Sequence, residues 1–232
     1  MKIQREFSQN AEAYDEVNVI QKRVAKRLLS KITDAPARML DIGCGNGTIF
    51  KQIGWRLEYF VGMDFADGML ALHPRKSYVT LLRRDFNDIQ AFEEIKGCRF
   101  DRIVSASALQ WAKDLDMTLA SIAALRLPAS LAIFTSGTFR TLHETAGLAP
   151  ILRDREEVVS LLQKHFDADI ETVRYTLAFS SVREMFRYMK KSGVGAGRNM
   201  LDYRQMRHLM QSYPLDHLEY EIVFLHQHRA DN

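Results

Sequence analysis

Cysteine is scarce in this 232-residue chain. Cys44 and Cys98 are the only two, too few for a disulfide framework, so a reducing cytoplasm is the expected setting. Long apolar runs are missing as well. None approaches the roughly 20 residues needed to span a bilayer. The N-terminal MKIQREFSQNAEAYDE is polar and lacks the apolar core of a signal peptide, so no membrane partner is expected. Charge of one sign is not in excess either. With 32 basic and 29 acidic residues the net charge is +3, too small for a nucleic-acid binder but compatible with a local basic patch. Seven histidines are present, yet only His226 and His228 share a strand face, and no cysteine or carboxylate joins them at ligand spacing. No metal is expected. Tandem repeats and low-complexity linkers are absent.

The remaining composition, 47% hydrophobic and 26% charged, is that of a soluble globule long enough for one substantial α/β domain. Residues 10–32 read as a helix, because Val17, Ile20, Val24, Leu28 and Leu29 form one apolar stripe ended by Pro36. Short buried strands follow at 38–43, 59–64, 78–83, 100–105 and 130–135, with helices expected at 46–54, 66–73 and 115–126. This alternation implies a parallel sheet with right-handed crossovers. After residue 150 the rhythm changes to a helix at 155–165, a long strand at 168–179, amphipathic helices at 182–192 and 202–212, and a last strand at 218–228. Two long strands around a helical insertion suggest an antiparallel edge on the sheet. A single domain is expected, with 1–35 as a helical cap, 36–180 and 216–232 as core, and 181–215 as a helical lid. Cap and lid are expected over the C-terminal edge of the sheet.

Asp41-Ile-Gly-Cys-Gly-Asn-Gly47 directly follows the first strand. Its glycines permit positive φ and let a ligand approach the backbone. Asp64 lies about 20 residues on, at the end of the second strand, where a doubly wound fold places a ribose-binding carboxylate. A dinucleotide site wants G-x-G-x-x-G, but the spacing here is G-x-G-x-G and Thr48 takes the last position. Asp41 is badly placed for a pyrophosphate and well placed for an ammonium group. S-adenosylmethionine offers an ammonium and no phosphate, which leaves a dehydrogenase as the minor reading.

On these residues the chain resembles the class I methyltransferase family, whose first motif reads D/E-x-G-x-G-x-G. That resemblance implies a Rossmann-like, seven-stranded α/β sheet, mostly parallel with an antiparallel edge strand, and S-adenosylmethionine as cofactor. It implies that Gly43, Gly45 and nearby backbone hold the methionine part beside Asp41, and that Asp64 takes the ribose hydroxyls. Met63 or Phe65 would border the adenine. Asp85, in Arg84-Asp-Phe86, matches the position that accepts the adenine amino group, and Ser105 the position whose backbone faces the methionine moiety. The alternative for Asp85 and Ser105 is a loop residue satisfying its own turn.

Two flanking stretches, Phe7-Ser-Gln-Asn-Ala-Glu-Ala-Tyr14-Asp…Gln21 and Ser105-Ala-Ser-Ala-Leu-Gln110-Trp111, resemble the branch of this family that methylates malonyl-acyl carrier protein in biotin biosynthesis. Phe134 to Glu144 and Met185 to Gly193 are similar to that branch too, while relatives acting on trans-aconitate or quinone precursors share parts of the pattern. Ala106-Ser107 departs from the family's more regular small-residue run. The implied acceptor is a malonyl carboxylate, ionised at pH 7 because its pKa lies near or below about 4, so no general base is required. Alignment and removal of water are what such a site supplies.

A cation should fix the carboxylate, and arginine suits this better than lysine. Arg140 and Arg198 are the candidates, with a solvated surface charge as the alternative for each. Tyr14 could close over the methyl group, or simply pack the N-terminal helix. Gln110 and Trp111 could line the pocket. Arg183, Arg187, Lys190, Lys191, Arg198, Arg204 and Arg207 give residues 182–212 a basic surface that suits an acidic acyl carrier protein, though any amphipathic helix has a charged outer face. A monomer is expected. The competing functions are a small-molecule O- or C-methyltransferase and a non-catalytic S-adenosylmethionine-binding regulatory subunit.

Overall fold

The computed structural model describes residues 18–192 and 203–228. Tyr14 and Arg198 lie outside them. Seven strands form one sheet in the order β3-β2-β1-β4-β5-β7-β6: β1 Arg38–Ile42, β2 Tyr59–Asp64, β3 Val79–Arg83, β4 Arg102–Ala106, β5 Ala129–Phe134, β6 Asp169–Ala178 and β7 His217–His226. The first five pair in parallel. Only β7 runs antiparallel, between β5 and the edge strand β6. This is the expected methyltransferase sheet, with its reversed strand one place in from the edge.

Both faces of the sheet are covered, and the period-2 alternation of a strand sorts the side chains between them. Leu131 and Ile133 of β5 and Val223 and Leu225 of β7 enter one core with Leu40, Ile42 and Ile103. Helices α4 (Leu115–Ala123) and α6 (Arg155–His165) close it through Leu115, Leu119, Val158 and Leu162. The intervening Ala132, Phe134, Ile222 and Phe224 face a second core with Met39 and Phe60. That core is closed by α1 (Val19–Ser30), α7 (Val182–Ser192) and α8 (Tyr203–Ser212). Ile20, Val24 and Leu28 of α1 sit one turn apart and are at most 1% exposed, each contributing about 1.5–3 kcal/mol by burial.

Three local features differ from expectation. Residues 46–54 form no α-helix; turns lead into a single 3-10 turn, Phe50–Gln52. Gly47 sits at φ +82°, which a right-handed helix cannot include, and Gly54 follows closely. The helices α2 (Asp67–Leu72), α3 (Gln90–Glu93) and α5 (Arg140–Ala146) complete the set. Of these, α3 and α5 are too short to show periodicity in sequence. Finally, α1, the described part of the expected cap, packs against β4 and β5 on one face of the sheet.

At the opposite, N-terminal edge, Arg102 is 1% exposed. Its guanidinium donates to Ser130 Oγ (3.1 Å) and the Gln227 carbonyl (2.9 Å) and pairs with Asp34 at 3.3 Å. His226 Nδ1 meets Ser130 Oγ at 2.9 Å. Burial, then the Arg102 charge, pushes the His226 imidazole down to about 4. Its folded value lies below the unfolded one, so the stabilising state is the neutral ring, complete above about pH 6.5. Stability is therefore lost as pH falls from 6.5 towards 4. We expect chemical denaturation at pH 7.5 and 4.5 to differ by about 2–3 kcal/mol from this group, and His226→Asn to flatten that slope. An unchanged slope in the variant would remove His226 from the account.

Candidate functional site

The sheet order reverses between β1 and β4: the chain runs outward through β2 and β3 on one side and through β5 on the other. Loops leaving neighbouring strands diverge there and open a crevice at their C-terminal ends. Ser105, fully buried, donates from Oγ to the Ile42 carbonyl at 2.6 Å, tying the two strands just below the opening.

A cleft of about 680 Å³, counting its open mouth, occupies this point. Its floor is the glycine turn. Gly43, Gly45 and Gly47 adopt φ of +73°, +53° and +82°. The Gly43 and Cys44 amides both donate to the Met63 carbonyl, at 2.7 and 3.0 Å. Space is as demanding as conformation at Gly43, where an added Cβ would lie 2.2 Å from Ala108 Cβ.

Asp41, next to last in β1, precedes this turn. It is 1% exposed, and neither carboxylate oxygen has a hydrogen-bond partner. Burial, reinforced by the Asp64 charge, pushes its carboxyl well above the usual range. A buried anion without a partner is costly, so the arrangement calls for a cationic ligand group. Asp64 is different. Its Oδ2 accepts from the Gly45 amide at 2.9 Å and its Oδ1 from the Ala66 amide at 2.8 Å, so it braces the turn. Burial raises its carboxyl and these backbone donors oppose the rise.

The wall is apolar, formed by Phe65, Met69, Phe86, Ile49 and Trp111. The third side is the Ala106-Ser107-Ala108 loop after β4, where Ser107 takes a left-handed φ of +63°. Gln110 Nε2 donates to the Ser107 carbonyl at 2.7 Å, holding that conformation. From α1, Gln21 reaches the same cleft.

The structure thus gathers Asp41, Gly43, Gly45, Asp64, Phe65 and Phe86 of the expected site, together with Trp111. Other expected residues stand apart from the lining. The Met63 side chain is fully buried in the core, and only its carbonyl serves the turn, so Phe65 is the residue facing the cleft. Ser105 is beneath the cleft, and Ala106, Ser107 and Ala108 line it instead. Asp85 accepts at Oδ1 from the Asn87 amide and side chain, at 2.9 and 2.7 Å, and acts on Asp64 only through its charge.

Arg140 is not brought to the cleft. It begins α5 after Phe139 turns the chain at φ +57°, and its guanidinium pairs with Glu144 one turn on at 2.8 Å with two-thirds of the side chain exposed. Sequence reasoning missed Gln21, Ser107 and Met69. Ser107 had a signal in the small residues around it, whereas Gln21 had none beyond its place in the flanking stretch.

An amino acid joined to a nucleoside suits this donor set, with acceptors for an ammonium at one end and an apolar slot for a base at the other. Residues 40–128 match the model of the methyltransferase domain family. The chain is 27% identical to the malonyl-[acyl-carrier protein] O-methyltransferase of Halorhodospira halophila, over 97% of this chain and 86% of that one. It is 28% identical to the Chlorobium phaeovibrioides protein of the same name, over 87% and 83%. Among solved structures, a chain of the Haloferax volcanii complex between the Trm112 methyltransferase activator and a methyltransferase shares the fold at TM-score 0.61, with 13% identity and 99% of each chain covered. Phosphoethanolamine N-methyltransferase 2 of Haemonchus contortus, solved with S-adenosyl-L-methionine, does so at TM-score 0.57 with 16% identity, over 96% of this chain and 57% of that one. Over residues 40–128 the chain is thus similar to the methyltransferase domain family, and its sheet shares the fold of these methyltransferases.

Proposed function

We propose that this protein methylates the free carboxylate of a malonyl group carried by acyl carrier protein, the ester-forming step that serves biotin biosynthesis. One observation carries the carboxylate: no histidine, lysine, arginine or tyrosine is among the described residues lining the cleft. Its titratable groups are Asp41 and Asp64 in the floor and Cys44, whose thiol burial pushes well up. Among the described lining residues, a phenol or amine acceptor could pass a proton only to these groups, which in this reading the cofactor engages or burial shields. A carboxylate arrives ionised.

Bound S-adenosylmethionine supplies an electrophilic methyl group. The chain's own work is to place it and exclude water. In this reading Asp41 faces the ammonium, the backbone of the Gly43–Gly47 turn packs against the methionine part, Asp64 accepts from the ribose hydroxyls, and Phe65 and Phe86 flank the adenine. Asp85 keeps Oδ2 available for the adenine amino group. Trp111 and Met69 narrow the path to the methyl group, and such alignment supplies much of the rate.

The carrier-protein half of the reading is supported by the relatives' names and by charge. Arg183 and Arg187 of α7 and Arg204 and Arg207 of α8 are exposed, while Met185 and Leu209 anchor the helices in the second core. The test is mass spectrometry of malonyl-acyl carrier protein after incubation with enzyme and S-adenosylmethionine, with free malonate and malonyl-coenzyme A in parallel. A gain of one methyl, fastest on the carrier protein, is expected. Equal rates on free malonate would replace this reading with a small-molecule methyltransferase. Binding of the cofactor without transfer to any of the three would favour a regulatory subunit. Reversing Arg204 and Arg207 to Glu is expected to raise KM for the carrier protein about 10-fold, more so at low salt, and leave KM for the cofactor unchanged.

A further inference from the structure

We infer that Arg153 is a positioning residue for methyl transfer, clamping the strap of chain that carries Trp111 into the cleft. The inference rests on the methyl-transfer reading above. Between β4 and α4 the chain forms only one 3-10 turn, Leu109–Trp111. The near end of this strap is fixed to the sheet: the Ser107 amide donates to the Ala132 carbonyl at 3.1 Å, and Leu109 is fully buried. At the far end Ala112 opens to ψ 129°, so the Ala112 and Lys113 carbonyls lie outside any helix and need donors from elsewhere. Arg153 supplies them. Its Nη2 donates to both carbonyls, at 2.8 and 3.2 Å. From the other flank Asn87 Oδ1 accepts from the Lys113 amide at 2.7 Å. Trp111 lines the cleft, whereas Arg153 and Asn87 stand outside its lining.

Arg153 is itself pinned. Its carbonyl accepts from the Ser136 amide at 2.8 Å, just beyond β5, and its Nε faces Glu157 of α6 at 3.3 Å. Its side chain is 23% exposed against 67% for Arg140, so its donors are committed to protein partners. A planar guanidinium suits this three-way bridge, whereas a lysine ammonium is a point charge on a flexible stem. The strap is thus held between the loops that follow β3 and β5, which fixes the indole where the methyl group must meet its acceptor.

The test uses the full chain carrying Trp55→Phe, which leaves Trp111 as the only tryptophan. Acrylamide quenching reads the exposure of Trp111, calorimetry the affinity for S-adenosylhomocysteine, and steady-state kinetics the kcat and KM with malonyl-acyl carrier protein. Arg153→Met is expected to lower kcat about 100-fold, and Arg153→Lys, which keeps the charge and a single-point donor, about 10-fold. Both should keep KM and S-adenosylhomocysteine affinity within about 3-fold, and Trp111 quenching should rise in the same order. Glu157→Gln removes only the ion pair and should leave every readout unchanged. Parallel falls in kcat and cofactor affinity would mean a general loosening of the cleft. A loss of kcat with Trp111 quenching unchanged would mean that Arg153 meets the acceptor directly. Either result overturns the inference, as does an undiminished kcat in Arg153→Met. Should that variant not fold, Arg153→Lys decides through the same readouts. If the Trp55→Phe protein binds S-adenosylhomocysteine but methylates no malonyl acceptor, the proposed function falls, and the quenching order alone then upholds or overturns the clamp.

Discussion

Asp41→Asn is expected to weaken S-adenosylhomocysteine binding by at least about 100-fold while raising the melting temperature of the ligand-free protein. Both effects come from one carboxylate. In the ligand-free fold it is buried without a hydrogen-bond partner, and its carboxyl is pushed well above the usual range by burial and by Asp64. A folded pKa above the unfolded one means that the ligand-free protein loses stability as pH rises above about 4, up to the folded value. Asparagine removes the ionisation and with it that loss, so the variant's stability should depend less on pH across this window. The ligand's ammonium then finds a neutral amide in place of an anion. A 100-fold loss corresponds to about 2.7 kcal/mol, within the range for removing one partner of a buried charge pair. Thermal melts at pH 5 and 8, paired with calorimetry, check both halves. A fall in melting temperature with binding unchanged would make Asp41 a structural group only.

Gly43→Ala should be the most damaging single-methyl addition in the described chain. The backbone at φ +73° costs an alanine about 1–2 kcal/mol, and the new Cβ would lie 2.2 Å from Ala108 Cβ. Neither side can yield easily, because the Gly43 amide is fixed on Met63 and Ala108 precedes the Leu109–Trp111 turn. A total loss of about 3 kcal/mol or more is expected, or roughly 6–12 °C in melting temperature for a chain of this size. Gly45→Ala is the comparison. Its φ is +53°, but the nearest atom is the flexible Met69 Cε at 3.2 Å, so about 1 kcal/mol is expected. Gly97→Ala, with nothing within 4 Å, should be near neutral. Melting temperatures of the three variants should rank in that order, and a Gly43→Ala protein as stable as Gly97→Ala would refute the packing argument.

What the sequence disclosed follows from how far each signal reaches. Buried parallel strands are short apolar runs bounded by turns, so β1 to β5 were legible within a residue or two. Asp41 and Asp64 were legible because a turn and a strand end fix their places locally. Residues 46–54 misled because a glycine-rich turn directly after a strand suggests a helix, which Gly47 at φ +82° prevents. The Arg140–Glu144 pair had an i,i+4 signature in plain view, yet a lone arginine after a strand reads the same whether it meets a substrate or its own helix. For Asp85 the structure displays the turn reading, Oδ1 accepting from the Asn87 amide and side chain. Gln21 was legible only as the last residue of a flanking pattern, with nothing to say where it points. Beside Ile20 it is merely a polar position on an amphipathic helix, and only the packing of α1 across β4 and β5 carries it to a cleft built from residues 20 to 90 positions away.

The β6–β7 ladder has a consequence for how such a protein changes over evolutionary time. It runs unbroken from Asp169 opposite His226 to Ala178 opposite His217, and the Phe179 amide closes on the Asp216 carbonyl at 2.8 Å. The chain that carries α7 and α8 therefore leaves and returns at one fixed point, like a bead on a closed clasp. Its length and surface can be exchanged without altering the register of any strand or the position of Asp41. The segment between β6 and β7 is thus a separable piece of the fold, tied to the sheet at one closed end of a hairpin.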